Sequence, residues 1–269
     1  MMLSAIVVVG APYVPRGTAP TSGVTYRATE FAFTGPDTIA AGVVMVRLVN
    51  TGHEAHQLTL YRVEPSADLA AVMRTLGENR VRPANVTRVG GVEGVAPSGA
   101  DSVAMALRPG RYVIVCGLPS LDGESDASKG MLRELVVRGP LPRSRAATLP
   151  RADVIVVMTE YDFVLSAPLR AGTQRVRVEN AGHQTHQLIV SRLHPGVTRA
   201  DVDEWNGKGL SLFDDMGGVA ALDPGQVNVW AVTLTPGNYL ISCVIRDAGD
   251  GRPHFMHGME RVVKVRARK

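Results

Sequence analysis

Alternation of apolar and polar side chains is the strongest local signal along this chain. In the segments 174–180 and 226–234, Val, Leu or Trp occupies alternate positions, which is the period of a strand with one buried face. Pro-Gly pairs at 224–225 and 236–237 mark turns next to these segments. The pattern predicts half-buried antiparallel strands.

Helical periodicity interrupts the strands once in each half of the chain. Between residues 66 and 76, apolar side chains recur at helical spacing. In the second half, Thr198 and Asp201 have the spacing of a capping box, and apolar Val202 follows them. A short helical insertion is therefore predicted in each half, with an amphipathic face packed on its own sheet.

The two halves also repeat one another. The pattern Asn-x-Gly-His-x-x-His-Gln-Leu ends both members of the longest matching pair, and shorter matches follow it in the same order. The matching pairs are 46–58 with 176–188, 90–92 with 217–219, 107–112 with 234–239, Cys116 with Cys243, and 130–131 with 258–259. Ordered matches over so long a span predict the duplication of a whole domain.

Length and composition agree with two folded domains. The chain has 269 residues, of which 45% are hydrophobic and 20% charged, so it can bury a core and does not have the composition of a disordered protein. Pro, Arg and Ser replace the alternating pattern between Gly139 and Pro150. We therefore expect an N-terminal segment at 1–22, a first domain at 23–139, a linker at 140–152 and a second domain at 153–269.

Charge does not indicate nucleic-acid binding. The net charge is +4, from 29 basic and 25 acidic residues, and aromatic residues make up 5% of the chain. Aromatic side chains are not interleaved with Lys or Arg as on a nucleic-acid surface. We expect a protein partner instead, and neither its identity nor the oligomeric state follows from the sequence.

The N-terminal segment contains one apolar run, Leu3 to Val9, followed by the small residues Gly10 and Ala11. It resembles the apolar part of a secretory signal but has no basic segment before it. A span of the bilayer needs about 20 apolar residues, so no transmembrane helix is expected. A truncated signal peptide, an edge strand and a frayed tail are the alternatives, and we expect a periplasmic or secreted protein.

The two cysteines occupy equivalent places in the repeats, so no disulfide between them is expected.

The candidate chemistry lies in the second half. Cys243 ends a predicted strand, and His254 and Met259 follow it with the spacing Cys-x10-His-x4-Met. His186 joins them from the distant start of another strand. A thiolate, two imidazoles and a weak axial thioether suit copper, because these ligands tolerate both of its oxidation states.

These motifs resemble those of the cupredoxin (blue copper) family. The features that carry the resemblance are Asn-x-Gly followed by His and an apolar strand, then Pro-Gly-x-Tyr, Cys and His-x4-Met. The resemblance covers most of both repeats and implies an all-β fold of two tandem Greek-key β-sandwich domains. In the second domain it implies one type 1 copper, with His186, Cys243 and His254 as equatorial ligands and Met259 as the axial ligand. The gap between Cys and His is longer than in small cupredoxins such as plastocyanin, and nearer that of two-domain proteins such as copper nitrite reductase.

The first half keeps only part of this set. His56, Cys116 and Met131 match the second half, but the segment 117–130 contains no histidine. We therefore expect no type 1 copper there and interpret the first domain as a degenerate scaffold or a docking surface. The acidic side chains of this segment, Asp122, Glu124 and Asp126, are assigned to solvated turns.

Simpler interpretations of the same residues remain open. Cysteine is often buried, and Cys116 persists without a full ligand set, so Cys243 could be a core residue of a metal-free interaction or structural protein. Met256 and His257 could replace Met259 and His254 as ligands. His53 and His183 are expected to brace their loops.

Three function classes remain to be compared. The first is one-electron transfer through a type 1 copper, and the second is the metal-free protein. The third is a copper oxidase or nitrite reductase, in which the resemblance implies a histidine next to the cysteine. Cys243 lies between Ser242 and Val244, so such an enzyme is not favoured. The sequence also contains no Gly-x-Ser-x-Gly, phosphate-loop or Cys-x-x-Cys motif.

Overall fold

The computed structural model describes residues 22–78, 82–141, 148–205 and 210–267. The signal-like run at Leu3 to Val9 and the centre of the expected linker lie outside these ranges. The elements of the first half are β1 Ser22–Thr29, β2 Ala32–Thr34, β3 Thr38–Ala40, β4 Gly42–Asn50, β5 His56–Val63, α1 Leu69–Gly77, β6 Val86–Val95, β7 Ala100–Leu107, β8 Gly110–Val115 and β9 Leu132–Arg138.

The second half repeats this order of elements, except that its described residues form no strand equivalent to β3 and include a 3₁₀ turn before the last strand. They are β10 Val154–Thr159, β11 Asp162–Leu165, β12 Gly172–Asn180, β13 His186–Leu193, α2 Arg199–Glu204, β14 Phe213–Leu222, β15 Val227–Leu234, β16 Gly237–Ser242, a 3₁₀ turn at His254–His257 and β17 Glu260–Val265. The strands of the first half end at Arg138 and those of the second begin at Val154, and the exact domain boundaries stay a prediction.

The strands form two sheets that run through both halves. One sheet has the order β11-β10-β12-β15-β7-β4-β1-β2, and the other has the order β17-β16-β13-β14-β6-β5-β8-β9-β3. Corresponding strands pair alike, because β1 runs parallel to β4 just as β10 runs parallel to β12. Each half is thus a β-sandwich, and the halves join edge to edge.

The hydrophobic core lies between the two sheets. Strand β12 buries every second residue from Gln174 to Asn180, as the sequence pattern predicts, and β1 shows a similar alternation. The largest fully buried side chains include Tyr26, Tyr112, Trp230 and Tyr239. Two of them are equivalent in the repeat: the Tyr112 hydroxyl donates to the Arg108 carbonyl at 2.8 Å, and that of Tyr239 to the Thr235 carbonyl at 3.0 Å.

The seam between the halves is made by equivalent strands. Strand β6 pairs with β14, and β7 pairs with β15, in both cases antiparallel. Side chains reinforce the pairing: the Asn228 amide donates to the Val89 carbonyl at 3.0 Å, and Trp230 Nε1 donates to Asp101 Oδ2 at 2.7 Å. The halves therefore share both backbone and side-chain hydrogen bonds.

The two helices are short and differ in burial. α1 begins after Asp68, whose carboxylate accepts from the Ala70 N–H at 2.9 Å, and it buries Val72 and Leu76. α2 begins at the predicted capping box, which is complete. It has only six residues and fully buries none of them, but Val202 is half-buried and the Trp205 ring meets the Phe213 ring of β14 edge-on, with centroids 5.3 Å apart. The expected packing of an apolar face is therefore confirmed for α1 and is only partial for α2.

The predicted fold class is confirmed. The structure is all-β with two tandem β-sandwich units, and each unit carries one short helix. Among the described residues, no helix is long and apolar enough to cross a membrane.

Candidate metal centre

The turn before His186 is held by Asn180, the last residue of β12. Its Oδ1 accepts from the Gly182 N–H at 2.9 Å, and its Nδ2 donates to the carbonyls of Gln184 at 2.8 Å and Leu222 at 2.7 Å. Because Leu222 belongs to β14, the turn is fixed to the neighbouring strand. His186 starts β13 directly after this turn and is fully buried.

Gly182 lets an acidic side chain approach the same turn. A Cβ added at this glycine would lie 2.6 Å from Glu160 Oε1 and 2.8 Å from His186 Nε2. Glu160 Oε1 accepts from the backbone N–H groups of His183 and Gln184. The brace expected of His183 is therefore made by its backbone N–H, whereas its imidazole is exposed.

The loop from Cys243 to Met259 is closed by its own backbone. The Cys243 N–H donates to the Met259 carbonyl at 3.1 Å, and the Met259 N–H donates to the His254 carbonyl at 3.0 Å. The His254 N–H donates to the Ile245 carbonyl at 2.8 Å. These bonds hold His254 at the start of the 3₁₀ turn, over the end of β16.

The structure brings three of the four predicted ligand residues together. His186 Nδ1 lies 3.1 Å from His254 Nδ1, and Cys243 Sγ lies 3.5 Å from His254 Nδ1. The candidate ligand atoms of all three residues lie within 4.8 Å of one another, and all three side chains are fully buried. Met259 is also fully buried and is bound through its backbone to both Cys243 and His254.

Burial keeps these groups neutral while no metal is bound. It lowers the pKa of His186 to about 4, with a further lowering from nearby His254, and it lowers the pKa of His254 as well. Burial raises the pKa of the Cys243 thiol to about 11, although the Gln187 N–H donates to its sulfur at 3.4 Å. At neutral pH both imidazoles therefore retain a lone pair, and a bound cation would displace the thiol proton.

The Nε2 atoms of both histidines face carboxylates but make no hydrogen bond. His186 Nε2 lies 3.6 Å from Glu160 Oε1, and His254 Nε2 lies 3.9 Å from Asp247 Oδ2. When Nδ1 binds a metal, the ring proton must sit on Nε2, where a carboxylate acceptor orients the ring. The buried donor set and these two acceptors fit a copper ion.

Asp247 is itself held in place by two donors. The Tyr161 hydroxyl donates to Asp247 Oδ2 at 2.6 Å and the Gln184 amide at 2.7 Å, and these bonds lower the pKa of Asp247. The Tyr161 ring also meets the His254 ring edge-on, with centroids 5.5 Å apart. The sequence interpretation missed Glu160, Tyr161 and Asp247, because no motif marks residues that lie behind the ligands.

The alternative ligands lie away from this centre. The Met256 side chain is 51% exposed. His257 Nε2 is paired with Asp250 Oδ1 at 3.2 Å on the outside of the loop. Neither side chain replaces Met259 or His254 in the buried cluster.

The first half contains an equivalent cluster with one different member. His56, Cys116 and Met131 are fully buried, as their counterparts are. The place of the second histidine is taken by Asp126, whose Oδ2 lies 3.0 Å from His56 Nδ1 and 3.1 Å from Cys116 Sγ.

The assignment of Asp126 to a solvated turn is therefore wrong, since only 1% of it is exposed. Asp122 and Glu124 of the same segment are exposed, as expected. The loop buries Asp126 because its carboxylate accepts hydrogen bonds from the side chains around it. A signal was present in the sequence: Asp126-x4-Met131 has the same spacing as His254-x4-Met259.

No protein-family model and no curated protein matches the chain. Solved structures do match. Reduced auracyanin from the photosynthetic bacterium Roseiflexus castenholzii is 20% identical, over 45% of this chain and 100% of its own, with a TM-score of 0.32. An azurin from Methylomonas sp. strain J is 15% identical, over 45% of this chain and 100% of the azurin, with a TM-score of 0.31. A Cu-containing nitrite reductase from Thermus scotoductus SA-01 is 13% identical, over 92% of this chain and 61% of the reductase, with a TM-score of 0.25.

Identities and TM-scores this low carry no conclusion about the function of this chain. Its own strand topology shows two tandem β-sandwich domains, which is the architecture that the resemblance of its motifs to cupredoxins implies.

Proposed function

We propose that this chain is a copper protein that transfers single electrons through one type 1 site in its second domain. The equatorial ligands are His186, Cys243 and His254, and Met259 is the axial ligand. One observation carries the proposal: two Nδ1 atoms and one Sγ atom converge in a fully buried cluster, with separations of 3.1 Å between the nitrogens and 3.5 Å from Sγ to His254 Nδ1. Copper bound there supplies a one-electron redox couple.

The surrounding chain supports this role by keeping the ligands in place. His186 is fixed by the braced turn after Asn180, and His254 and Met259 are tied by backbone hydrogen bonds to the loop that starts at Cys243. A ligand set that moves little between oxidation states favours rapid electron transfer. The Gln187 N–H, directed at Cys243 Sγ, stabilises the thiolate form of that ligand.

The metal-free interpretation loses support from His254. A histidine that served only as a loop residue would be free to face solvent, whereas this imidazole is fully buried beside a thiol and a second imidazole. An electron carrier is also favoured over an oxidase, because the residues on either side of Cys243 are serine and valine. We further propose a location outside the cytoplasm, which cell fractionation would test.

The test is to add copper(II) to the purified, metal-free chain and record the visible spectrum. We expect an intense thiolate-to-copper band at one equivalent, which a mild reductant bleaches and an oxidant restores. Cys243→Ala should abolish the band.

Cys116→Ala is the matched control, since it removes the equivalent buried thiol of the first half and should leave the band unchanged. A folded chain that takes up copper without this band would refute the proposal.

A further inference from the structure

A second buried ligand set lies in the first domain and has a different chemistry. His56, Cys116 and Asp126 place one nitrogen, one sulfur and one oxygen within 4.8 Å of one another. Their backbone frame copies that of the second domain: the Asp126 N–H donates to the Leu118 carbonyl at 2.9 Å, and the Met131 N–H donates to the Asp126 carbonyl at 2.9 Å. Asp126 thus holds the position of His254.

The two oxygens of Asp126 have separate partners. Oδ1 accepts from the Ser120 hydroxyl at 2.6 Å, which fixes the carboxylate. Oδ2 points between His56 Nδ1 and Cys116 Sγ, at 3.0 and 3.1 Å. A cation at this point would replace the thiol proton and the proton now shared between Nδ1 and Oδ2, while Ser120 continued to hold Oδ1.

The spacing of the three atoms suits a tetrahedral ion. With Zn–N of about 2.0 Å, Zn–O of about 2.1 Å and Zn–S of about 2.3 Å, ligand atoms in a tetrahedron lie about 3.4 to 3.6 Å apart. The observed separations are 3.0, 3.1 and 4.0 Å. Shifts of about half an ångström, well within side-chain adjustment, would bring the three atoms to zinc-ligand spacing and fill three of the four tetrahedral positions.

The ligand charges select a divalent ion that stays divalent. A thiolate and a carboxylate together neutralise a 2+ ion in this buried place, whereas a 1+ ion would leave a net negative charge there. In the second domain the ligand set contains a single thiolate. The net charge of that site is therefore +1 with copper(II) and 0 with copper(I). The hard carboxylate oxygen also disfavours copper(I), and nitrogen, oxygen and sulfur ligands together are typical of zinc.

The environment of His56 agrees with metal ligation through Nδ1. Its Nε2 is buried, makes no hydrogen bond and lies 3.8 Å from Glu30 Oε1. A proton displaced from Nδ1 to Nε2 would face this carboxylate, which would then orient the ring. Glu30 is fixed in turn by the backbone N–H groups of His53 and Glu54.

We infer that the first domain binds a zinc ion through His56 Nδ1, Cys116 Sγ and Asp126 Oδ2. On binding, the Zn–S bond forms as the S–H bond breaks, and the thiol proton passes to solvent. The chain then carries one redox-inactive ion and one redox-active ion in two copies of the same fold. The first domain thus holds a specialised metal site and is not a degenerate copy of the second domain.

The test uses the full chain with Cys243→Ser, which removes the thiolate of the second domain. After removal of metal by a chelator, zinc is titrated in by calorimetry, and cobalt(II) is added separately as a spectroscopic probe. We expect one zinc per chain and a thiolate-to-cobalt absorption band. Adding Asp126→Asn or Cys116→Ser in this background should weaken zinc binding at least tenfold, and Cys116→Ser should abolish the cobalt band.

Glu124→Gln is the matched control, because it removes an exposed carboxylate of the same loop and should leave zinc affinity unchanged. Circular dichroism establishes that each variant is folded. A folded Cys243→Ser chain that binds no zinc would overturn the inference, and so would zinc affinity that neither Asp126→Asn nor Cys116→Ser alters. Since the thiolate of the second domain is absent throughout, the result is independent of the copper proposal.

Discussion

Asp126 and His254 occupy one position in the two domains. The backbone N–H of each donates to the carbonyl two residues after the cysteine, and the carbonyl of each accepts from the N–H of the following buried methionine. The side chain of each then reaches the cysteine sulfur, at 3.1 Å from Asp126 Oδ2 and 3.5 Å from His254 Nδ1. A single side chain therefore separates the two ligand sets.

Asp126→His should give the first domain a type 1 copper site. The substitution adds the missing imidazole to a frame that already holds His56, Cys116 and Met131 in buried positions. In a copper(II) titration, the thiolate-to-copper band should rise to two equivalents instead of one. In the control Asp126→Asn, which supplies no imidazole, the band should stop rising at one equivalent of copper. If the band also stops at one equivalent in Asp126→His, the two positions are not equivalent.

Gly182→Ala should weaken both the fold and copper binding. The new methyl group would lie 2.6 Å from Glu160 Oε1 and 2.8 Å from His186 Nε2, so these two side chains or the turn itself must shift. Overpacking of this kind costs about 1 to 3 kcal/mol, which chemical denaturation would measure. Gly23→Ala is the control, because nothing lies within 4 Å of its added Cβ, and its effect should be within about 0.5 kcal/mol. Equal effects at the two glycines would contradict the steric explanation.

Much of this could be predicted from the sequence, for reasons that particular residues show. Strand β12 follows from alternation because it buries one face, and the capping box of α2 follows from Thr198 and Asp201. His186, Cys243 and His254 were found through their types and spacing.

Asp126 was missed because a carboxylate in a polar loop is usually solvated, and its burial depends on hydrogen bonds from His56 and Ser120 that no local pattern encodes. The joining of the sheets through β6–β14 and β7–β15 was not predictable either, since pairing between domains leaves no local pattern.

Tyr161→Phe should weaken copper binding without disturbing the fold. It removes the hydroxyl that donates to Asp247 at 2.6 Å, so the pKa of Asp247 should rise and the carboxylate facing His254 should be held less firmly. Loss of the carboxylate beside a ligand histidine typically weakens metal binding by about 10- to 100-fold. Because this variant only loosens that carboxylate, we expect an effect at the lower end, about tenfold, which competition with a copper chelator would measure. The equivalent residue of the first domain is Phe31, with φ of 63° against 65° at Tyr161, so phenylalanine suits this backbone.

Tyr61→Phe is the control for that experiment. It removes a hydroxyl that accepts from Arg88 at 3.2 Å in the first domain, and copper affinity should not change. If both tyrosine variants bound copper as the unmodified chain does, the Tyr161 hydroxyl would have no role in holding the carboxylate that faces His254.

Glu93→Gln should change how stability depends on pH. Glu93 is only 3% exposed and lies on β6 opposite Gly218, at the seam between the domains. Burial raises its pKa from 4.5 to about 8. Between these values the folded chain keeps a proton that the unfolded chain has lost, so the free energy of unfolding falls as the pH rises through this window.

The expected slope is up to about 1.4 kcal/mol for each pH unit between the two pKa values. Glutamine stays neutral and similar in shape, so Glu93→Gln should gain stability relative to the unmodified chain as the pH rises from about 5 to about 8. Denaturation of the metal-free chain at several pH values measures the difference, and exposed Glu124→Gln should show no such gain. Parallel stability curves for Glu93→Gln and the unmodified chain would mean that Glu93 is already charged within the folded seam.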